Sequence, residues 1–321
     1  MKKSLIALAV LGTFAAAANA QSSVSIYGIA DVWVGSVDTG AGSTTKLDSN
    51  GLSTSRLGFT GTEDLGGGLS AVFGLEAGLN IDVGQSNAGG GLQFNRQSYV
   101  GLAGGYGQII AGKVWTAFDD VSASAITGFD SAFSPEYFAF GSVAYSANPN
   151  NGFKYSSPDF GGISGAVSYS LDEDVAANTE ATAFNLKYSG GPIYAGLGYQ
   201  EETTLGVETK FTRLGASYDL GVVKLLANYG DAKTGGAKTT DYSIGADVPL
   251  SSALTLGVGY AHGKDNAAAG SEKRDAFAIV ATYALSKRTT AYAGYTSGDG
   301  KTAGVKTSEL DLYAVGLRHS F

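Results

Sequence analysis

Apolar and polar residues alternate along most of this chain, in runs of eight to a dozen residues. In residues 254–260, for example, Leu254, Leu256, Val258 and Tyr260 are separated by threonine and glycine. Alternation with a period of two places apolar side chains on one face of an extended strand and small or polar side chains on the other. The pattern therefore predicts an all-β protein.

Short and long connections alternate between these runs. Residues 219–221 and 286–288 are short connections, whereas residues 201–210 and 263–274 are long, polar and glycine-rich. Membrane barrels have short turns at one end and longer loops at the other. We count roughly sixteen runs, an even number, as closure of an antiparallel barrel requires. The sequence therefore predicts a 16-stranded antiparallel transmembrane β-barrel.

A soluble β-sandwich is the alternative for such a pattern. Sandwich strands average about 5–6 residues and bury their apolar face in a core. The runs in this chain are longer, and their polar faces are rich in Gly, Ser, Asn and Lys. Tyrosines fall at the ends of runs, as in the aromatic girdles of membrane barrels: Tyr169, Tyr188, Tyr199, Tyr218, Tyr229, Tyr260 and Tyr283. These features favour the membrane barrel.

The alternation stops in one long segment, residues 116–151. Loops without secondary structure longer than about 12–15 residues are uncommon and are usually functional or disordered. This one is rich in aromatic residues, which argues against disorder. It also carries four carboxylates, Asp119, Asp120, Asp130 and Glu136. We expect the segment to fold into the lumen of the barrel and to narrow it.

The first twenty residues have the composition of a secretory signal. Lys2 and Lys3 precede an apolar run, and Ala18-Asn19-Ala20 is a small-residue cleavage site. We therefore expect a signal peptide at residues 1–20 and a single barrel domain at residues 21–321. Removal of the two lysines changes the net charge from −8 to −10, which argues against nucleic-acid binding. The chain has no cysteine, so the exported protein has no disulfides.

Several stretches resemble the trimeric general-diffusion porins of Gram-negative outer membranes, of the beta-proteobacterial type. They are residues 25–31 (SIYGIAD), 55–69 (SRLGFTGTEDLGGGL), 94–102 (FNRQSYVGL), 155–160 (YSSPDF) and 315–321 (VGLRHSF). The resemblance implies a homotrimer and an inward-folded third loop as the constriction. It also implies an outer-membrane channel for passive diffusion of ions and small hydrophilic solutes. Its partners would be outer-membrane lipid, lipopolysaccharide and the barrel-assembly machinery.

The resemblance also implies roles for single residues. Arg56, Arg96 and Lys113 would be wall cations facing the third loop, and Phe321 would be the C-terminal assembly signal. Family members often carry an arginine at the position of Asn148, so one basic group of the usual constriction is missing here. The family's frequent anion preference is therefore not carried over to this chain.

The alternation itself supports only some of these positions. Arg56 and Glu76 both oppose apolar faces and so point inward, where they line the pore or form a salt bridge within the wall. Arg96 shares a face with Val100 and Leu102, so the alternation alone would place it outside. Small residues in the N-terminal third would allow close packing of subunits: Gly28, Ala30, Ala111 and Gly112.

Other kinds of chemistry find little support. The two histidines, His262 and His319, have no G-x-S-x-G motif near them, so a barrel hydrolase is not expected. Residues 172–174 are three consecutive acids without the spacing of a known calcium loop, and no metal or cofactor site is expected. A solute-specific outer-membrane channel stays open as an alternative, because the 116–151 segment is aromatic.

Overall fold

The structure is a computed structural model that describes residues 23–122, 129–173, 179–266 and 270–321. The expected signal peptide, residues 1–20, lies outside the described residues, as does Asp174 of the acidic triplet. Among the described residues, none of the helices has the length and apolarity needed to cross a membrane.

Eighteen β-strands make up nearly all of the regular structure in the described residues. They are β1 Ser23–Asp38, β2 Ser43–Ser49, β3 Arg56–Gly66, β4 Leu69–Asn80, β5 Gln85–Ser86, β6 Gln97–Gly104, β7 Gly107–Lys113, β8 Gly152–Ser156, β9 Ile163–Ser170, β10 Thr179–Gly190, β11 Ile193–Thr204, β12 Val207–Asp219, β13 Lys224–Thr234, β14 Ala237–Pro249, β15 Leu254–Asn266, β16 Glu272–Ala284, β17 Thr289–Thr302 and β18 Val305–Ser320.

The strands form one closed antiparallel barrel. Each strand of the ring pairs with its neighbour in sequence, and β1 pairs with β18 from Ile29↔Ser320 to Asp38↔Asp311. Two short strands are additions to the ring. β2 pairs with residues 32–38 of β1, and β3 pairs with residues 23–29 of the same strand. β5 forms a small separate ladder with β4. Sixteen strands remain in the ring, so the predicted barrel is confirmed.

A buried carboxylate explains why the strand beside β1 is split into β2 and β3. Asp31 is fully buried and accepts hydrogen bonds from the backbone N–H groups of residues 51–53. Tyr292 donates a further hydrogen bond to Asp31, at 2.5 Å. The bonds to Asp31 satisfy the backbone N–H groups of residues 51–53 where the chain leaves the ladder, as a buried backbone requires.

Several connections that the sequence suggests are long loops are strands instead. β11 and β12 run to the two-residue turn Leu205-Gly206, and β17 and β18 to Ala303-Gly304. Both residues of each turn have positive φ, the geometry of a type I′ turn. The ends of these hairpins are polar and extend beyond the lipid, where a strand needs no apolar face. They therefore lack the alternation of apolar and polar residues found in the other parts of the strands.

The segment 116–151, here called the inner loop, lies inside the barrel. Its described part contains helices Asp119–Ser122 and Pro135–Ala139 and 3₁₀ turns Ser131–Phe133 and Gly141–Val143. Its aromatic side chains form the buried apolar clusters of the protein against the inner faces of the strands. Phe118, Phe129 and Phe133 are almost completely buried there. The core of this protein is therefore the contact between loop and wall.

The wall makes room for the inner loop with small residues. A Cβ atom on Gly294 would lie 2.8 Å from the ring of Phe133, and one on Gly257 would lie 2.6 Å from the ring of Phe129. Real Cβ atoms do not approach other atoms so closely, so a side chain at either position would displace a phenylalanine. The high glycine content thus has a packing cause at these strand positions.

Gly28 lies where β1 and β18 pair to close the barrel. Its backbone exchanges two hydrogen bonds with Phe321, each of 3.1 Å, and the Phe321 ring occupies the space beside it. The expectation that Gly28 permits close approach of another subunit is therefore wrong, because the chain's own last residue covers it. The rest of the outward row of β1 is apolar, with Val24, Ile26 and Val34 exposed.

The docking of the inner loop generates a stability prediction. Gly294→Leu should overpack the contact with Phe133 and cost about 1–3 kcal/mol, a typical effect of overpacking a core. Thermal unfolding followed by circular dichroism, together with protease cleavage within residues 116–151, measures it. Gly236→Leu is the matched control, because Gly236 has nothing within 4 Å of its Cβ position. Equal melting temperatures for both variants would contradict the packing role.

Candidate pore constriction

Two cavities meet at the inner loop. The first has a volume of about 400 Å³, and its lining includes Arg56, Arg96, Asp119 and Arg213. The second has a volume of about 300 Å³ and lies toward the short turns, beside Gln108. Trp115 and Asp119 line both cavities. Both cavities therefore adjoin the start of the inner loop, where it leaves β7.

Three arginines of the wall face the first cavity. Arg56 points inward from β3, and its Nε donates to the Thr54 carbonyl at 2.9 Å. Arg213 points inward from β12, where it donates to Ser142 Oγ at 3.0 Å and stacks over the Phe140 ring at 5.1 Å. Arginine keeps its charge under all ordinary conditions, so the wall presents a fixed positive field.

The third arginine, Arg96, lies just before β6 begins at Gln97. The alternation of that strand therefore does not apply to it, and its side chain turns into the lumen. Its Nε forms an ion pair with Glu76 Oε1 at 2.6 Å, and its guanidinium lies 5.0 Å from the centre of the Trp115 ring. Two fixed partners hold this cation at the edge of the cavity.

Glu76 belongs to the wall and lines neither cavity. It is buried, and it accepts a hydrogen bond from Tyr27 at 2.9 Å besides its ion pair with Arg96. Of the two interpretations that the sequence left open, the structure places Glu76 in a wall salt bridge. Its charge acts on the lumen by orienting Arg96.

Three carboxylates of the inner loop face the same cavity as the arginines. Asp119 accepts a hydrogen bond from Tyr145 at 2.7 Å, and Glu136 accepts one from Ser134 at 2.9 Å. Asp130 caps the 3₁₀ turn that begins at Ser131, by accepting from its backbone N–H at 2.7 Å. The cavity thus has three arginines on its wall and three carboxylates on its loop, namely Arg56, Arg96, Arg213, Asp119, Asp130 and Glu136.

Asp120 faces the second cavity and is held by basic residues of the wall. Lys154 Nζ forms an ion pair with its Oδ1 at 2.6 Å, and Lys187 lies 3.8 Å from its Oδ2. Asn185 donates to the same Oδ2 at 3.0 Å. The sequence predicted Asp120 as a pore residue but gave no sign of these partners, which come from strands β8 and β10.

Lys113 lines neither cavity. Its Nζ donates to the Asn148 carbonyl at 2.6 Å and to Asn150 Oδ1 at 3.1 Å. Asn148, at the position where the family resemblance implies an arginine, donates to the Arg96 carbonyl at 2.7 Å. Both residues tie the end of the inner loop to the wall.

Residues 139–146 of the inner loop are hydrogen-bonded to the barrel wall. Asp241 accepts from the backbone N–H of Ser142 at 2.8 Å, and Glu202 accepts from that of Ser146 at 2.9 Å. Arg274 donates to the Ala139 carbonyl at 2.9 Å and forms ion pairs with Asp265 and Glu272. These contacts fix the distance between the loop carboxylates and the arginines of the wall.

Sequence reasoning missed four residues of the constriction: Trp115, Tyr137, Lys154 and Arg213. Arg213 was detectable as a charge on the polar face of a strand. Tyr137 belonged to the aromatic composition that singled out residues 116–151, although no role was predicted for it. Trp115 and Lys154 gave no signal, because their place beside the loop depends on where the loop packs.

Comparisons with known proteins agree with this architecture. Residues 7–303 match the model of the Gram-negative porin family. Outer membrane porin protein 32 of Delftia acidovorans is 33% identical over 360 residues, covering 100% of both chains. The anion-selective porin from Comamonas acidovorans has a TM-score of 0.81 and 29% identity, covering 94% of this chain and 100% of that one.

A third comparison concerns the fold alone. A trimer form of OmpT, an outer membrane protein of Vibrio cholerae, has a TM-score of 0.75 and 17% identity, covering 94% of this chain and 99% of that one. The closed barrel, the inner loop and the family match together lead to one conclusion. This chain belongs to the Gram-negative porin family and forms a channel across the outer membrane.

Proposed function

We propose that the channel is only weakly ion-selective at neutral pH and that the charges around the first cavity set this balance. The supporting observation is the equal number of opposed charges, three arginines on the wall and three carboxylates on the inner loop. A permeating ion meets both signs at the same level of the lumen. Rings of charge set selectivity in such pores, and no chemical step is required.

The size of the effect depends on distance and salt. Two unit charges about 4 Å apart interact by about 4 kcal/mol at an effective dielectric near 20. The Debye length falls from about 10 Å at 0.1 M salt to about 3 Å at 1 M, so the bias weakens in concentrated salt. A difference of one charge between wall and loop is therefore enough to favour one sign of ion in dilute salt.

We propose that this balance separates the chain from an anion-selective channel. The Comamonas acidovorans relative is described as anion-selective. In this chain Asn148 supplies no charge, Lys154 is ion-paired with Asp120, and Lys113, which keeps its charge, is held by Asn148 and Asn150 and lines neither cavity. We propose that the positive charge missing from the first cavity moves the channel toward neutrality.

The assembly is also part of the proposal. We propose a homotrimer with its contacts on the N-terminal strands, an exported chain cleaved after Ala20, and outer-membrane insertion through the barrel-assembly machinery. The trimer form of the V. cholerae protein and the exposed apolar row of β1 support this arrangement. We also propose that the protein has no catalytic activity. His262 and His319 pair with Asp275 and Thr289 on the outer face, away from the lumen.

The charge balance generates the first functional prediction. Replacing Asp119, Asp120 and Asp130 together by Asn should raise the anion-to-cation permeability ratio, because it removes loop charge and frees Lys154. A residual bias of about 1 kcal/mol corresponds to a roughly fivefold change in that ratio. Reversal potentials across a gradient of dilute salt measure it.

The matched control removes a charge of the opposite sign. Arg56→Gln should move the reversal potential in the cation direction, and both shifts should shrink in molar salt. If the triple Asn variant keeps the wild-type reversal potential in dilute salt, the loop carboxylates do not act on the ion path.

The second prediction concerns pH. Burial raises the pKa of Asp119 from its usual 3.8 to about 6, although the hydrogen bond from Tyr145 opposes the rise. As pH falls through 6, Asp119 becomes protonated and the first cavity gains net positive charge. The permeability ratio should therefore shift toward anions between about pH 7 and 5. Asp119→Asn should remove this step, and an unchanged step in that variant would assign it to another group.

The third prediction concerns assembly. Deletion of Phe321 removes two backbone hydrogen bonds to Gly28 and the ring that covers it. The amount of heat-modifiable trimer in outer membranes should fall several-fold, whereas the conductance of any assembled channels should be unchanged. Phe321→Tyr keeps the ring and should restore assembly. Normal trimer levels in the deletion strain would show that this residue is dispensable.

A further inference from the structure

The first cavity presents three kinds of chemistry side by side. Besides its arginines and carboxylates, the rings of Trp115, Tyr137 and Tyr145 line it. Its volume of about 400 Å³ lies in the range of small-molecule sites, about 300–1,000 Å³. A pore that selects solutes by width and charge alone does not require aromatic rings. The combination therefore indicates a site for a particular class of solute.

Arg56 has unused hydrogen-bond donors. Its Nε donates to the Thr54 carbonyl at 2.9 Å, which holds the side chain at the cavity. In the part of the chain that the structure describes, its two terminal nitrogens make no hydrogen bond and no ion pair. Arg96 and Arg213, in contrast, are engaged by Glu76 and by Ser142. A guanidinium with free terminal nitrogens binds a carboxylate through two parallel hydrogen bonds.

Asp130 lies close enough to Arg56 to act on its charge. The backbone N–H of Ser131 donates to Asp130 Oδ1 at 2.7 Å and holds the carboxylate in place. An ionised carboxylate accepts several hydrogen bonds, so this cap leaves capacity for a further donor. A positive and a negative group thus stand together on the surface of the cavity. They match a solute that carries a carboxylate and an ammonium on neighbouring atoms.

Tyr137 supplies an aromatic surface beside these charges. Its hydroxyl lies next to Asp130. Tyr137 is 59% exposed, whereas the phenylalanines of the inner loop that contact the wall are buried. The exposed ring faces the cavity. Aromatic rings pair in offset-stacked or edge-to-face arrangements, so this ring favours a second aromatic group in the solute.

We propose that Arg56, Asp130 and Tyr137 form a binding site for aromatic α-amino acids in the lumen. Arg56 binds the α-carboxylate, Asp130 accepts hydrogen bonds from the α-ammonium, and Tyr137 stacks on the ring of the solute. Such a solute carries both charges at neutral pH and has no net charge. Weak ion selectivity therefore does not oppose its entry. The inference rests on the proposed function and names a class of solute that the channel holds during passage.

The first test varies the solute and uses the wild-type channel. Block of the single-channel current is measured in planar bilayers with L-tryptophan and three related compounds. Indole-3-propionate lacks the ammonium, tryptamine lacks the carboxylate, and L-alanine lacks the ring. L-Tryptophan should block the current in a concentration-dependent manner. Each related compound should require an at least about tenfold higher concentration for the same block, because each loses one of the three contacts.

Each compound also has a result that contradicts the proposal. Equal block by indole-3-propionate would indicate a simple anion site, and equal block by tryptamine would indicate a simple cation site. Equal block by L-alanine would remove the role of Tyr137. Any of these results, or the absence of block by L-tryptophan, would overturn the proposal.

The second test varies the protein. Arg56→Lys keeps the charge and loses the paired donors, so the half-blocking concentration of L-tryptophan should rise about tenfold. Tyr137→Leu should also weaken the block, whereas Tyr137→Phe keeps the ring and should retain it. Arg288→Lys and Tyr106→Leu, both at short turns, are the matched controls and should block like the wild type. Wild-type block in Arg56→Lys or Tyr137→Leu, or an equal loss in its control, would contradict the assignment.

Reversal potentials separate this proposal from the proposed function. Arg56→Lys keeps the number of charges, so its reversal potential in dilute salt should equal the wild-type value while block by L-tryptophan weakens. If neutralising the loop carboxylates leaves the reversal potential unchanged but L-tryptophan still blocks the wild type, the charge balance fails and the binding site stands. A reversal potential that responds to those variants, without block by L-tryptophan, would support the charge balance and overturn the binding site.

Discussion

Docking of the inner loop onto the barrel wall is the interaction on which the rest of this structure depends. A barrel of this width has no core of its own, because its outer face meets lipid and its inner face meets water. The buried apolar clusters all lie where Phe118, Phe129, Phe133 and Phe140 meet alanine and glycine of the wall. The wall therefore combines small residues, against which the loop packs, with charged residues that bind the loop or face the lumen.

The same docking couples stability to ion permeation. The inner loop is fixed by Asp241, Glu202 and Arg274 on one wall and by Lys113 on another. These contacts also fix the distances between the carboxylates of the loop and the arginines of the wall. An arginine in a narrow lumen is costly unless an opposite charge lies near it. The loop supplies that charge, so the groups that we propose to bias ions also neutralise the wall.

Much of the fold follows from the period-two pattern, because a strand that separates lipid from water must alternate. The pattern is lost where this constraint is absent. The polar hairpins beyond the membrane were interpreted as loops. The alternation alone would have placed Arg96 outside, since it does not apply to a residue that precedes β6, and only the family resemblance placed this arginine in the lumen. The loop carboxylates were recognisable from composition. The Asp120 partner Lys154 was not, because contacts between distant segments leave no trace in local spacing. The role of Gly28 was misread for the same reason.

The contact of Gly28 with Phe321 also bears on the order of folding. These residues are separated by almost the whole chain, and the β1–β18 seam is the pairing with the greatest sequence separation in the ring. Contacts of long sequence separation form slowly, because a large loop must close before they stabilise anything. Pairings between neighbouring strands close only short loops, whereas the facing edges of β1 and β18 stay unpaired until these two strands meet. Any state of the chain in which they have not met is an open-edged sheet, the state most prone to pairing with other chains, so the contact of Phe321 with Gly28 belongs to the step that ends this exposure.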